Sequence, residues 1–131
     1  MSDKEEFASK AAGAVRLLAY APYSSFKVGA ALLTADGRLF AGCNVENISF
    51  GLTICAERVA LGTAIAAGIS DFRFLAIISD SEVPVVPCGA CRQVLAEFNP
   101  DLRIVSSNLQ GQTSEFTLAT ILPLPKQGIL K

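Results

Sequence analysis

The spacing of hydrophobic and polar positions changes several times along the chain, and each change marks an element. Near the start, Ser2-Asp3-Lys4-Glu5 has the S-x-x-E form of a capping box, and Phe7, Ala11, Ala14, Val15 and Leu18 then recur at helical spacing. This predicts a helix from Asp3 to Ala19, ended by Pro22. Lys27 to Thr34 and Leu39 to Val45 are apolar, strand-like runs on either side of Ala35-Asp36-Gly37-Arg38, whose Asp-Gly pair signals a hairpin. The two runs should pair antiparallel. Gly29 and Gly42 lie inside them and point to close approach of backbone or ligand. Cys55 to Ala67 reads as a helix with Val59, Ala60, Thr63 and Ala64 on its packing face and Gly68 just past its end.

Phe72 to Ser79 is an unbroken apolar run, as expected of a strand covered on both faces. A loop with Pro84 and Pro87 leads to a helix from Cys88 to Phe98, stopped by Asn99-Pro100. Leu102 to Ser106 and Ser114 to Phe116 read as two more strands, joined by the turn that begins at Asn108. Thr117 is placed to cap a short final helix, Leu118 to Leu122. The order α-β-β-α-β-α-β-β, plus that short helix, predicts an α/β fold with three α-β-α layers around a five-stranded mixed sheet. One domain is expected over 1–131, with a core at 22–123 and a C-terminal tail at 124–131.

Composition narrows the function. At 131 residues the chain is long enough to bury a core without disulfides. Mean hydropathy is +0.44, yet no apolar run approaches the roughly 18 residues that a membrane span needs. That surplus of apolar residues hints at burial against other subunits. The net charge is −1 and the basic residues are scattered, so a nucleic-acid partner is not expected and a free small molecule is. The polar, acidic N-terminus lacks the profile of a signal peptide, which predicts a cytoplasmic protein. There is no histidine, so catalysis must use Cys, Asp/Glu, Lys, Tyr or a metal.

Three of the four cysteines fall in one pattern: Cys55-Ala56-Glu57-Arg58, then Pro87-Cys88-Gly89-Ala90-Cys91-Arg92-Gln93. A first ligand, one spacer and a glutamate, followed by P-C-x-x-C, is the arrangement of zinc deaminases. Cys55, Cys88 and Cys91 are then the ligands of one Zn2+, with a fourth position open for chemistry. Both stretches begin predicted helices, whose positive ends favour thiolate over thiol. Glu57, beside an open zinc position, can shuttle protons between water and substrate; in isolation it would be an ordinary helix-start glutamate. Three thiolates around a divalent ion leave the centre negative, which gives Arg58 a task as a donor to sulfur, with Arg92 a second candidate. Cys43 reads as a buried small hydrophobe outside the site. A structural zinc module without activity and a redox dithiol are the alternatives to this reading.

These motifs, with Gly42-Cys-Asn-Val-Glu-Asn and Tyr23-Ser-Ser-Phe-Lys-Val-Gly-Ala-Ala-Leu upstream, closely resemble the small homotetrameric cytidine deaminases, over about Pro22 to Pro123. The resemblance implies hydrolytic deamination of cytidine and 2′-deoxycytidine in pyrimidine salvage, one Zn2+ per subunit and active sites shared between subunits. It also implies that Asn44 and Glu46 bond the ribose 3′-hydroxyl, that Phe26 stacks on the pyrimidine, and that the Ala56 N–H contacts the base carbonyl. Arg58 matches the arginine that bonds the ligand thiolates. Read alone, Asn44 and Glu46 are polar residues at a strand end and Phe26 is core. The chain departs from the family at Phe50, where a tyrosine reaching a neighbouring site near the sugar 5′-hydroxyl is usual, and after Pro123, where an aromatic lid usually follows. These departures bear on the substrate's outer edge, and another cytosine compound such as blasticidin S is the alternative substrate.

Overall fold

The computed structural model describes residues 1–125. The predicted tail beyond Pro125 lies outside the described residues. Its elements are α1 (Asp3–Arg16), β1 (Val28–Thr34), β2 (Leu39–Cys43), a 3-10 turn at Phe50–Leu52, α2 (Ala56–Ala66), β3 (Phe72–Ser79), α3 (Gly89–Ala96), β4 (Arg103–Asn108), β5 (Thr113–Thr117) and α4 (Leu118–Ile121). The strands form one five-stranded sheet in the order β2-β1-β3-β4-β5. β3 and β4 are parallel, joined by the α3 crossover; the other pairs are antiparallel.

Local signals placed most of the ends. The capping box forms, with Ser2 and Glu5 bonded reciprocally. Gly37 takes φ 88° in the β1–β2 turn, a conformation that favours glycine. α2 closes with Gly68 at φ 82°, its N–H bonded to Ile65 O and that of Ile69 to Ala64 O, a Schellman motif. β2 stops two residues short of the predicted Val45, because the Asn44 side chain turns into the fold and bonds both the Val28 N–H and the Phe26 carbonyl.

The sheet's two faces carry separate cores. Ala30, Leu32, Leu75, Ile77 and Ile104 pack under α2, α3 and α4, with Ala60, Ala64 and Leu95 among their partners. Ala31, Leu33, Phe74, Ala76 and Val105 pack under α1. All seven residues of β1 are buried, which explains a run without polar alternation. Each fully buried Leu, Ile or Phe in these layers contributes about 1.5–3 kcal/mol.

Two expected packing faces are corrected. α1 buries Ala8 and Ala12, while Phe7 and Leu18 are 63% and 77% exposed. The reason is distance: a Cβ on Gly29 would lie 1.9 Å from the Ala12 carbonyl oxygen, so the α1 backbone lies directly on β1 there and the helix turns small residues to the sheet. The helix also ends at Arg16, before the predicted Ala19. On α2 the buried face is Ala56, Ala60, Leu61 and Ala64; Thr63 is exposed and returns its hydroxyl to the Val59 carbonyl. Gly42 does for α2 what Gly29 does for α1, since its Cβ would lie 2.3 Å from the Ala60 nitrogen.

Candidate metal centre and active site

The chain begins two helices with cysteines, and the sheet brings those beginnings together. Cys55 and Cys88 are the N-cap residues of α2 and α3. Their backbone carbonyls accept the first helical bonds, from Arg58 and Val59 on α2 and from Arg92 on α3. Cys91 lies one turn into α3 and is fully buried. The three sulfurs all lie within 4.8 Å of one another, and Cys55 Sγ is 3.7 Å from Cys88 Sγ. Thiolates about 2.3 Å from a tetrahedral zinc stand about 3.8 Å apart, so the spacing fits that ion.

The electrostatics fit a cation too. A hydrogen bond from Cys91 holds the Cys55 thiol down to about 5, against the cost of burial and with help from Arg58 and Cys88. Cys91 is pushed upward by the same contact, by burial and by the negative charges of Glu57 and Cys55. A metal ion held by the three sulfurs would displace their thiol protons, so its binding favours the thiolates. Arg58 Nη2 lies 3.6 Å from Cys55 Sγ and 3.5 Å from the Thr53 carbonyl oxygen. Arg92 is engaged elsewhere. Its Nε donates to the Pro87 carbonyl at 2.7 Å and its Nη1 to the Ile121 carbonyl at 3.0 Å, clasping the loop before Cys88 to α4.

Glu57 sits in the first turn of α2 and is 5% exposed. Burial pushes its carboxyl up to about 7, and the negative Cys55 adds to this against its own backbone N–H and Arg58. A carboxyl poised near neutrality beside a metal centre suits proton transfer in both directions. Glu57 and two of the sulfurs open onto a cleft of about 310 Å3, whose walls include Phe26, Asn44, Glu46, Ala56 and Val86. That size lies at the lower end of small-molecule sites.

The structure therefore brings together Phe26, Asn44, Glu46, Cys55, Ala56, Glu57 and Cys88 in one cleft, with Cys91 and Arg58 behind them. Phe50 is not part of it; the ring is 77% exposed in the 3-10 turn. Cys43 is only half-buried, because β2 is an edge strand, and it lies outside the sulfur cluster. Sequence reasoning missed Thr53, Val85 and Val86, which line the cleft. The two valines immediately precede Pro87-Cys88, and that adjacency to a ligand was the available signal. It also missed the loop around Ser24, whose bonds to Glu46 depend on tertiary contact.

Comparison with known proteins agrees with this geometry. Residues 1–107 match the model of the cytidine and deoxycytidylate deaminase zinc-binding region. The chain is 51% identical over 106 residues to a cytidine deaminase of Sporosarcina psychrophila, covering 80% of this chain and 78% of that one. It is 52% identical over 106 residues to one from Halalkalibacterium halodurans, covering 80% of each. Among solved structures, cytidine deaminase from Burkholderia pseudomallei superposes with a TM-score of 0.88 at 48% identity, covering 94% of this chain and 98% of that one. The enzyme from Mycobacterium tuberculosis gives 0.79 at 37%, covering 94% and 96%. On that match and those identities, the chain belongs to the cytidine and deoxycytidylate deaminase family.

Proposed function

We propose that this protein hydrolyses cytidine and 2′-deoxycytidine to uridine and 2′-deoxyuridine, releasing ammonia. The observation that carries the reading is a buried carboxyl, Glu57, opening on the same cleft as two sulfurs of the three-thiol centre. Zn2+ is the cofactor, held by Cys55, Cys88 and Cys91; when bound it supplies the Lewis acidity that makes water a nucleophile near neutral pH. Glu57 accepts the proton that the attacking water gives up and delivers it to N3 of the pyrimidine; it then takes the remaining proton from the new C4 hydroxyl and passes it to the departing amine. Arg58 lowers the charge on the Cys55 sulfur. Phe26 offers an apolar face to the base, and the Ala56 N–H, which precedes any intrahelical partner, is free to donate to the base carbonyl.

Asn44 and Glu46 form the polar wall and meet the sugar. The Glu46 carboxylate disfavours a 5′-phosphate, so nucleosides are the expected substrates rather than nucleotides. Ile48, Phe50 and Leu52 are 79%, 77% and 68% exposed. Three bulky apolar side chains so close together suit contact with another copy of the chain, as in the shared-site homotetramer that the sequence resemblance implies. No helix of the described residues is long and apolar enough to cross a membrane, and we place the enzyme in cytoplasmic pyrimidine salvage.

The test is zinc content and ammonia release measured together on purified protein, with cytidine, 2′-deoxycytidine and blasticidin S in parallel. One zinc per chain and turnover of the two nucleosides are expected. Full zinc with no ammonia from any of the three would leave a structural zinc module; turnover of blasticidin S alone would move the substrate. Light scattering of the active protein should give a tetramer, and an active monomer would break the shared-site reading.

A further inference from the structure

One hydroxyl joins two walls of the cleft. In the loop between Ala21 and Phe26, Ser24 Oγ donates to Glu46 Oε2, and the same oxygen accepts the Phe26 N–H at 2.9 Å. Glu46 Oε1 accepts two backbone N–H groups, from Tyr23 at 3.0 Å and from Ser24 at 3.2 Å. Glu46 and Phe26 both line the cleft although they come from segments far apart in sequence. Ser24 is bonded to each. The next residue, Ser25, has φ 60°, a left-handed conformation uncommon for a residue with a side chain. Such a turn persists where surrounding bonds over-determine it.

These bonds also fix what Glu46 has left to offer. A carboxylate has about four lone-pair positions. The Tyr23 and Ser24 N–H groups use those of Oε1 and the Ser24 hydroxyl uses one on Oε2, so a single acceptor position remains, on Oε2. Asn44 is committed in the same way. Its Oδ1 accepts the Val28 N–H at 2.9 Å and its Nδ2 donates to the Phe26 carbonyl at 2.8 Å, leaving one N–H to give and one Oδ1 lone pair. The free position on Glu46 Oε2 and the free Asn44 N–H together match one sugar hydroxyl, which both donates and accepts.

We propose that Ser24 is a positioning residue: it turns Glu46 so that one carboxylate lone pair meets the substrate, and it ties that orientation to the place of Phe26. The proposal rests on the nucleoside reading above. Removal of the hydroxyl leaves Glu46 held through Oε1 alone, so that Oε2 is no longer fixed, and leaves the Phe26 N–H without its acceptor. Glu57 and the three sulfurs, carried on α2 and α3, are untouched. The effect therefore falls on KM.

The experiment compares Ser24→Ala, Ser24→Thr, Glu46→Ala and the Ser24→Ala/Glu46→Ala double variant in steady-state deamination of cytidine, with zinc content measured on each. Ser24→Ala should raise KM about tenfold, the scale of losing a hydrogen bond to a charged group, with kcat within about twofold and zinc unchanged. Ser24→Thr, which keeps the hydroxyl, should return KM to within about threefold of wild type. In the Glu46→Ala background the Ser24 change should raise KM by less than about threefold, the non-additivity expected of residues that act through one another. An unchanged KM in Ser24→Ala, a loss confined to kcat, or a full and independent KM effect in the double variant would overturn the proposal while wild-type turnover leaves the nucleoside reading intact. A wild-type protein that neither binds nor deaminates cytidine would overturn both.

Discussion

The two faces of the sheet are closed by the same device and carry different work. On one, Gly29 lets α1 settle so close that an added Cβ would strike the Ala12 carbonyl; on the other, Gly42 does this for α2 at Ala60. The α1 face ends there: its core is alanine, leucine, valine and phenylalanine, with no chemistry-bearing side chain in the cluster. On the α2 face the close approach also sets where the helix begins, and the helix begins with Cys55, Ala56 and Glu57. A backbone contact that is merely stabilising on one side thus becomes a positioning contact on the other. Alanine-sized packing makes both helices intolerant of displacement, but only α2 has something to misplace.

The largest test of that division is Glu57→Gln. It keeps the side chain's shape and removes the proposed proton carrier, so kcat should fall by about 10²–10⁴-fold or more while zinc content stays at the wild-type level. Stopped assays with metal analysis check it, and a near-normal kcat in the Glu57→Gln variant would break the assignment. Next come the glycines. Gly29→Ala and Gly42→Ala should each cost about 3 kcal/mol in denaturant unfolding, since the obstructing atoms are backbone. They should differ in function. Activity per folded molecule survives Gly29→Ala and drops with Gly42→Ala, which shifts α2 and with it one sulfur and the carboxyl. Equal losses of activity in the two would erase the distinction between the faces.

Smaller effects belong to α1 alone. Ser2→Ala removes a capping box and should cost about 1 kcal/mol of stability with kcat unchanged. Smaller again is the pairing of Glu5 with Arg103, which joins α1 to β4. Burial pushes the Glu5 carboxyl up, but the Arg103 hydrogen bond, the Ser2 N–H and the Arg103 charge together bring it below its ordinary 4.5. A lowered carboxyl lends stability that is present above about pH 4.5 and is lost as pH falls through the folded value. Glu5→Gln should therefore flatten the acid limb of stability by at most about 1 kcal/mol and leave neutral pH activity alone. Urea titrations from pH 7 to pH 3 read the difference, and a steeper limb in the variant would reverse the sign.

Much of this architecture was legible in short stretches. The S-x-x-E cap, the Asp-Gly turn and Gly68 past α2 all formed as read, because each depends on neighbours within a few residues. Helix faces were less legible. Hydrophobic periodicity favoured Phe7 and Leu18 as the inner side of α1, and the structure chose Ala8 and Ala12, since the helix backbone lies directly against Gly29 and leaves no depth for a bulky side chain. Arg92 and Cys43 looked much like Arg58 and the ligand cysteines as residue types, and only position separates them.

What the sequence determined by itself was the chemistry of the centre: three cysteines, one glutamate, their spacing at two helix starts and the absence of histidine restrict the ligand set to thiolates, because those residue types and that spacing are covalent facts. What only the tertiary structure decided was how much of each side chain remains for the substrate. Asn44 and Glu46 face the cleft with half and three-quarters of their hydrogen-bonding capacity already given, to Val28 and Phe26 and to Tyr23 and Ser24 respectively. Those partners are brought near by the packing of strands and loops distant in the chain, and a residue's free lone pairs exist only after its neighbours have taken theirs.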